Sequence, residues 1–165
     1  MRIYIPSTMS QLGALLETGE LGFGSTTAFA VTDGLRDWYR DDDIEELEYA
    51  AMIEAARASL RLLDTEPDTV ARRVVLAADV EDGDVSVRDD LDRGVVRVGI
   101  SIPLSAVVSV HVDGEDAETA VRAAATAMVR AELGDEDAQE TVDDVEGYEL
   151  AWYANQEIPA LVELL

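Results

Sequence analysis

Three apolar runs, RRVVLAADV, GVVRVGISIP and SAVVSVHVD, follow one another between Arg72 and Val112. Stretches this rich in β-branched residues, bounded by Gly, Pro and Asp, are strands, and three in close succession must pair into a sheet that needs covering. The strands are expected at Arg73 to Val80, Val95 to Ile102 and Ala106 to Val112. Glu81 to Arg93 is charged and carries Gly83, which suits a hairpin connection with a short edge strand at Val85 to Val87. The remainder of the chain reads as packing for that sheet.

Before the runs, Arg2 to Ile5 alternates in polarity as a strand does, and Pro6 is expected to end it. Ser7 or Thr8 can cap a helix over Met9 to Thr18, whose stripe is Leu12, Leu15 and Leu16 and whose stop is Gly19. Thr27 to Thr32 reads as a second strand. Strand, helix, strand in that order implies a parallel pair joined by a right-handed crossover. Thr32 or Asp33 then caps a short helix bearing Leu35, Trp38 and Tyr39. A long helix follows at Ile44 to Leu63, with Ile44, Leu47, Ala51, Ala55, Ala58 and Leu62 on one side. Its acidic start and its Arg57 and Arg61 near the end both suit the helix dipole.

After the runs come an alanine-rich helix at Ala117 to Leu133, a more polar one at Glu136 to Val145, a last strand at Leu150 to Tyr153 and helical turns at Ile158 to Leu164. The expected fold is therefore α/β in the mixed α+β sense: a single mixed sheet of five to six strands, helices mainly on one face, in the order βαβααβββααβα. Residues 1–165 are read as a single domain, since 165 residues can bury a proper core.

Charge narrows the function classes. The chain carries 36 acidic and 12 basic residues, a formal net charge of -24, and every basic residue is Arg. Nucleic acid and anionic membrane are repelled by such a surface, so neither is an expected partner. With no Cys, disulfides, thiolate metal sites and cysteine nucleophiles are excluded. No secretory pattern opens the sequence, and the longest apolar region, Gly94 to Val112, is broken by Arg97, Pro103 and His111. A cytoplasmic protein is expected.

The segments RIYIPSTMSQLGALL, TAFAVTDGLRDWY, EELEYAAMIEAARASLRLL, RRVVLAADV, VVSVHVD and ELAWYANQEIPAL together resemble a family of small acidic actinobacterial proteins of unknown function. The resemblance spans most of the chain. It implies a cytoplasmic protein from a GC-rich background and brings no activity or catalytic residue with it.

Strand alternation suggests one place for chemistry. One face would hold Ile3, Ile5, Phe29, Val31, Val74, Leu76, Val96, Val98, Ile100, Ile102, Val108, Val110 and Val112. The other would carry Arg2, Tyr4, Arg73, Arg97 and His111 over small residues, a candidate anion-binding face, because the guanidinium fork matches carboxylate and phosphate. Pairing of these Arg residues with the chain's own carboxylates is the plainer reading. A parallel sheet would also gather Thr32, Asp33, Asp79 and Asp113, with Ser7 and Thr8, at one edge as a candidate strand-end site, although helix capping explains the same residue types.

His111 stands two residues before Asp113, which invites a general base, yet it is the only His and no nucleophile elbow accompanies it. Asp79 to Asp90 fails the calcium-loop pattern, because its register puts Ala78 and Val80 at ligand positions. Neither glycine segment forms a nucleotide loop. No metal site and no cofactor is read, and the catalytic residues are unknown. The expected function is a non-catalytic binding or accessory protein, forming a homodimer through the second sheet face or an edge, or binding a basic protein partner. A small enzyme or sensor for an anionic metabolite, built on the Arg/His face, is one alternative, and a DNA-mimicking inhibitor is another.

Overall fold

A computed structural model describes residues 1–40 and 42–164. The strands are β1 (Arg2–Ser7), β2 (Glu20–Leu21), β3 (Thr26–Phe29), β4 (Val74–Asp79), β5 (Val85–Val87), β6 (Val95–Val98), β7 (Ile102–Pro103), β8 (Val107–Val112) and β9 (Ala151–Ala154). The helices are α1 (Met9–Thr18), α2 (Asp33–Tyr39), α3 (Ile44–Thr65), α4 (Glu118–Glu132), α5 (Glu136–Asp143) and α6 (Ile158–Glu163). Seven strands form one sheet in the order β5-β6-β3-β1-β4-β8-β9, and β2 pairs with β7 apart from it.

Every pairing in that sheet is antiparallel. This corrects the expected parallel β1–β3 pair and the mixed sheet of five to six strands. The physical reason lies in the connection. Residues 20–25, which include β2, return the chain to the C-terminal end of β1, and the Tyr4–Phe29 register sets Thr26 there. A crossover would instead have delivered β3 to the opposite end. Pro6 does not end β1 as expected. It stays in the strand opposite Val75, on a strand whose β3 side is paired only at Tyr4, which leaves room for a residue without an N–H.

Helices cover both faces, not mainly one. Ile3, Ile5, Ala28, Val74, Leu76, Val96, Val110 and Val112 pack against Met9, Leu12 and Leu15 of α1 and Ile158 and Leu161 of α6. On the reverse side Tyr4, Phe29, Val75, Ala77 and Val95 meet Ala51, Met52 and Ala55 of α3 and Leu35 of α2. The second half of α3 carries Leu60 and Leu63 on into a third cluster with Val121 and Met128 of α4 and Val142 of α5. The central part of the second sheet face, on β1, β3 and β4, is thus covered by α2 and α3.

Strand β3 and Val108 depart from the expected alternation. Phe29 faces α3 with Tyr4, and Ala28 and Ala30 take the α1 side. With both faces buried, alternation in TAFAV has no polar side to set its phase. Val108 is exposed because β8 bulges there: Ala77 pairs with Ser109 but Ala78 pairs with Val107. The extra residue turns Val107 inward.

Capping follows the sequence closely at three helices. Thr8 Oγ1 accepts from Gln11 N at the start of α1, Thr32 Oγ1 from Leu35 N at α2, and Asp43 Oδ1 from Glu45 N at α3. One tie joins α3 to the sheet. Ser59 is fully buried; its Oγ donates to Ser7 O at 2.7 Å and accepts from Val74 N at 3.2 Å, between β1 and β4. Ser59→Ala strands both groups and should lower unfolding free energy by about 1–3 kcal/mol, read in urea melts with an unchanged denaturant slope.

Candidate functional site

Because β4 and β8 run antiparallel, the start of one and the end of the other meet at the same sheet edge. Arg73 precedes β4 and Asp113 follows β8, and they are 4% and 2% exposed. Arg73 Nε donates to Asp113 Oδ2 and Nη2 to Oδ1, each at 2.8 Å, while the Arg73 backbone N–H adds a third bond to Oδ2 at 2.8 Å. Nη2 also donates to the carbonyl of Tyr148 at 2.8 Å, and Asp113 N returns a bond to Arg73 O at 3.1 Å. This bidentate pair clasps β4, β8 and the segment leading to β9.

Above it lies a cleft with a volume of about 140 Å³. Tyr49, Met52 and Ile53 of α3 form one wall, Val145, Tyr148 and Glu149 the other, and Arg73 lines it from below. Tyr49 and Glu149 are exposed, and Glu149 makes no ion pair among the described residues. Arg57 borders the cleft already engaged, 3.4 Å from Asp143 and 3.8 Å from Glu146. The lining thus holds two glutamates and two arginines, both arginines already paired with carboxylates, and the aromatic groups stand beside Glu149.

The five residues of the candidate anion face do share one side of the sheet, but they do not converge. Arg73 is closed by Asp113. Arg2, at the far end of the neighbouring strand, binds Asp79 through Nε at 2.6 Å and Nη2 at 3.1 Å. That hydrogen bond, outweighing partial burial, lowers the Asp79 pKa and raises that of Arg2. Tyr4 donates to Glu48 at 3.0 Å, and burial first, then this bond, raises its pKa. Arg97 sits exposed on β6, two strands from β1.

The strand-end set is divided by the antiparallel sheet. Ser7, Thr8 and Asp113 lie at the edge that holds Arg73; Thr32, Asp33 and Asp79 lie at the opposite one. Asp113 is not a helix cap, as α4 begins five residues later behind a 3-10 turn. At the other edge Asp89, from the acidic hairpin run, accepts from Thr32 Oγ1 at 2.7 Å, Gly94 N at 2.9 Å and Gly34 N at 3.1 Å. Burial pushes its pKa up, but these three donors outweigh it and leave the carboxyl below its ordinary value. That run is a latch onto α2.

His111 is half-buried, with Ser109 Oγ 3.5 Å from its Nε2. Both oxygens of Asp113 are occupied by Arg73, so that carboxylate does not orient the imidazole. Burial lowers the His111 pKa. The unfolded chain then binds the proton more readily, so stability falls as pH drops through the ordinary histidine value of about 6.5. His111→Gln should flatten the thermal-midpoint profile between pH 7 and pH 5 (about the histidine range); an unaltered slope would assign it elsewhere.

Sequence reasoning passed over Ser59, Tyr49, Tyr148 and Glu149. Ser59 had a signal, a polar residue four places after Ala55 on the apolar stripe of a long helix. The other three had none, because the cleft joins segments a hundred residues apart in the chain.

Fold and site define a class: an antiparallel α/β protein whose aromatic-walled cleft stands over a buried arginine–aspartate pair. The chain belongs to the family of unknown function DUF6912, which it matches over residues 1–162. No curated protein and no solved structure matches it.

Removing one partner of the buried pair leaves the other charge uncompensated. Asp113→Ala should lower unfolding free energy by about 3–5 kcal/mol, and Arg73→Met/Asp113→Leu should lose less than that single change. Urea melts of both variants make the comparison.

Proposed function

We propose that the protein is a non-catalytic binding protein that receives a lysine or arginine side chain of a basic protein segment in the cleft between α3 and the segment preceding β9. The observation that carries this reading is the composition of the cleft wall. Tyr49 and Tyr148 offer aromatic surface for a cation, Met52 and Ile53 suit an aliphatic stem, and Glu149 stands at the side without an ion-pair partner among the described residues. The volume, about 140 Å³, resembles the ~150 Å³ of a cavity that takes one benzene, which suits a side chain better than a metabolite.

Two of the three arginines of the face that would serve an anionic substrate are spent internally, and Arg97 stands apart from them on β6. Arg73 and Arg2 each hold a carboxylate, which speaks against the metabolite alternative. A basic partner is also favoured over a second copy, because two chains of net charge -24 repel each other.

Titration with a short lysine- and arginine-rich peptide at low salt tests this. Binding should weaken as salt rises, and Tyr49→Ala and Glu149→Lys should each weaken it by about tenfold. Equal affinity in the wild type and both variants would remove the cleft from the reading, leaving only diffuse surface charge.

A further inference from the structure

A second cavity lies between α1, the turn after β2 and the end of β1, away from the cleft. Its volume is about 380 Å³, within the ~300–1,000 Å³ typical of small-molecule sites. Ile5, Leu15, Leu21 and Leu62 supply apolar walls, and Glu20 is the one ionisable residue lining it. With no cation in the lining and a net charge of -24 on the chain, anions are disfavoured.

The turn beside this cavity is held at a cost. Phe23 has φ 41°, a left-handed conformation that bulky side chains rarely adopt. It lines the cavity while remaining 79% exposed, so burial of its ring does not offset the strain. Thr26 Oγ1 is sealed from water and makes no hydrogen bond. Gly22 lies against it with φ 85°, where a Cβ would come 1.8 Å from that oxygen. The unsatisfied hydroxyl is thus closed off beneath a strained turn that carries an exposed aromatic, and lifting the turn opens it to the apolar space while relieving the strain.

We propose that this cavity binds a neutral straight-chain amphiphile. Its chain lies among Leu15, Leu21 and Leu62, and its hydroxyl pairs with Thr26 Oγ1 once the turn of residues 22–25 lifts to admit it, with Phe23 closing over the chain. The proposal is independent of the cleft.

Calorimetric titration with 1-hexanol, 1-octanol and 1-decanol is the test. Affinity should rise about fourfold per methylene until the cavity is full. Ala14→Trp, on an exposed lining position of α1, should abolish binding; Gln11→Trp, equally exposed, replaces it if the melting temperature without alcohol falls. Thr26→Val should weaken 1-decanol about five- to tenfold while leaving 1-chlorodecane unaffected. Absence of heat up to the solubility limit, binding that survives the filling variant, or equal effects of Thr26→Val on alcohol and chloride overturns the proposal. So does a concentration-dependent dimer, dissociated by Phe23→Ser, that forms without alcohol binding, which would assign the surface to a second copy.

Discussion

The clasp between Arg73 and Asp113 is the interaction on which the rest depends. It sits where β4 leaves the loop after α3 and where β8 hands over to α4, and its third partner, the Tyr148 carbonyl, brings in the segment that becomes β9. Two full charges are removed from water there, which is tolerable only because both carboxylate oxygens and the guanidinium edge are satisfied together. With the clasp closed, the sheet edge is defined, and the cleft above it acquires a fixed floor.

The sheet is covered twice, and that explains several features. α1 and α6 seal one side, while α3 seals the other with small residues, Ala51 and Ala55, that let it approach closely. Tyr4 and Ser59 are the polar groups that reach across that second interface, to Glu48 and to Ser7 and Val74. A chain with 36 acidic residues can still close such a core because its carboxylates stay largely at the surface, where several engage the arginines, as in Arg72–Glu118, Arg61–Glu132 and Arg88–Asp90. Arg93 adds a stacked contact over Trp38, which steadies α2 against the β5–β6 hairpin.

Much of the secondary structure was legible. The helix bounds of α1, the place of α2, the edge strand β5 and the caps at Thr8 and Thr32 follow from local chemistry that acts within four residues. The site was legible only in its parts. Arg73 and Asp113 both stand out in the sequence, one as an arginine on a strand and the other as a carboxylate after one, but strand alternation alone places them in separate candidate sites. Nothing local says that the two strands run in opposite directions, and that direction is what places the residues together.

The sequence by itself determined where the helices and most of the strands form, though not β2 or the break between β6 and β7, that cysteine chemistry is excluded and that the chain is acidic, because these depend on residue type and near neighbours. Tertiary structure decided strand direction, the phase of β3, the bulge at Val108 and the residues that share a cavity. When both sides of a sheet are buried, alternation loses its polar reference, and the choice passes to how helices, connections and buried charges pack together.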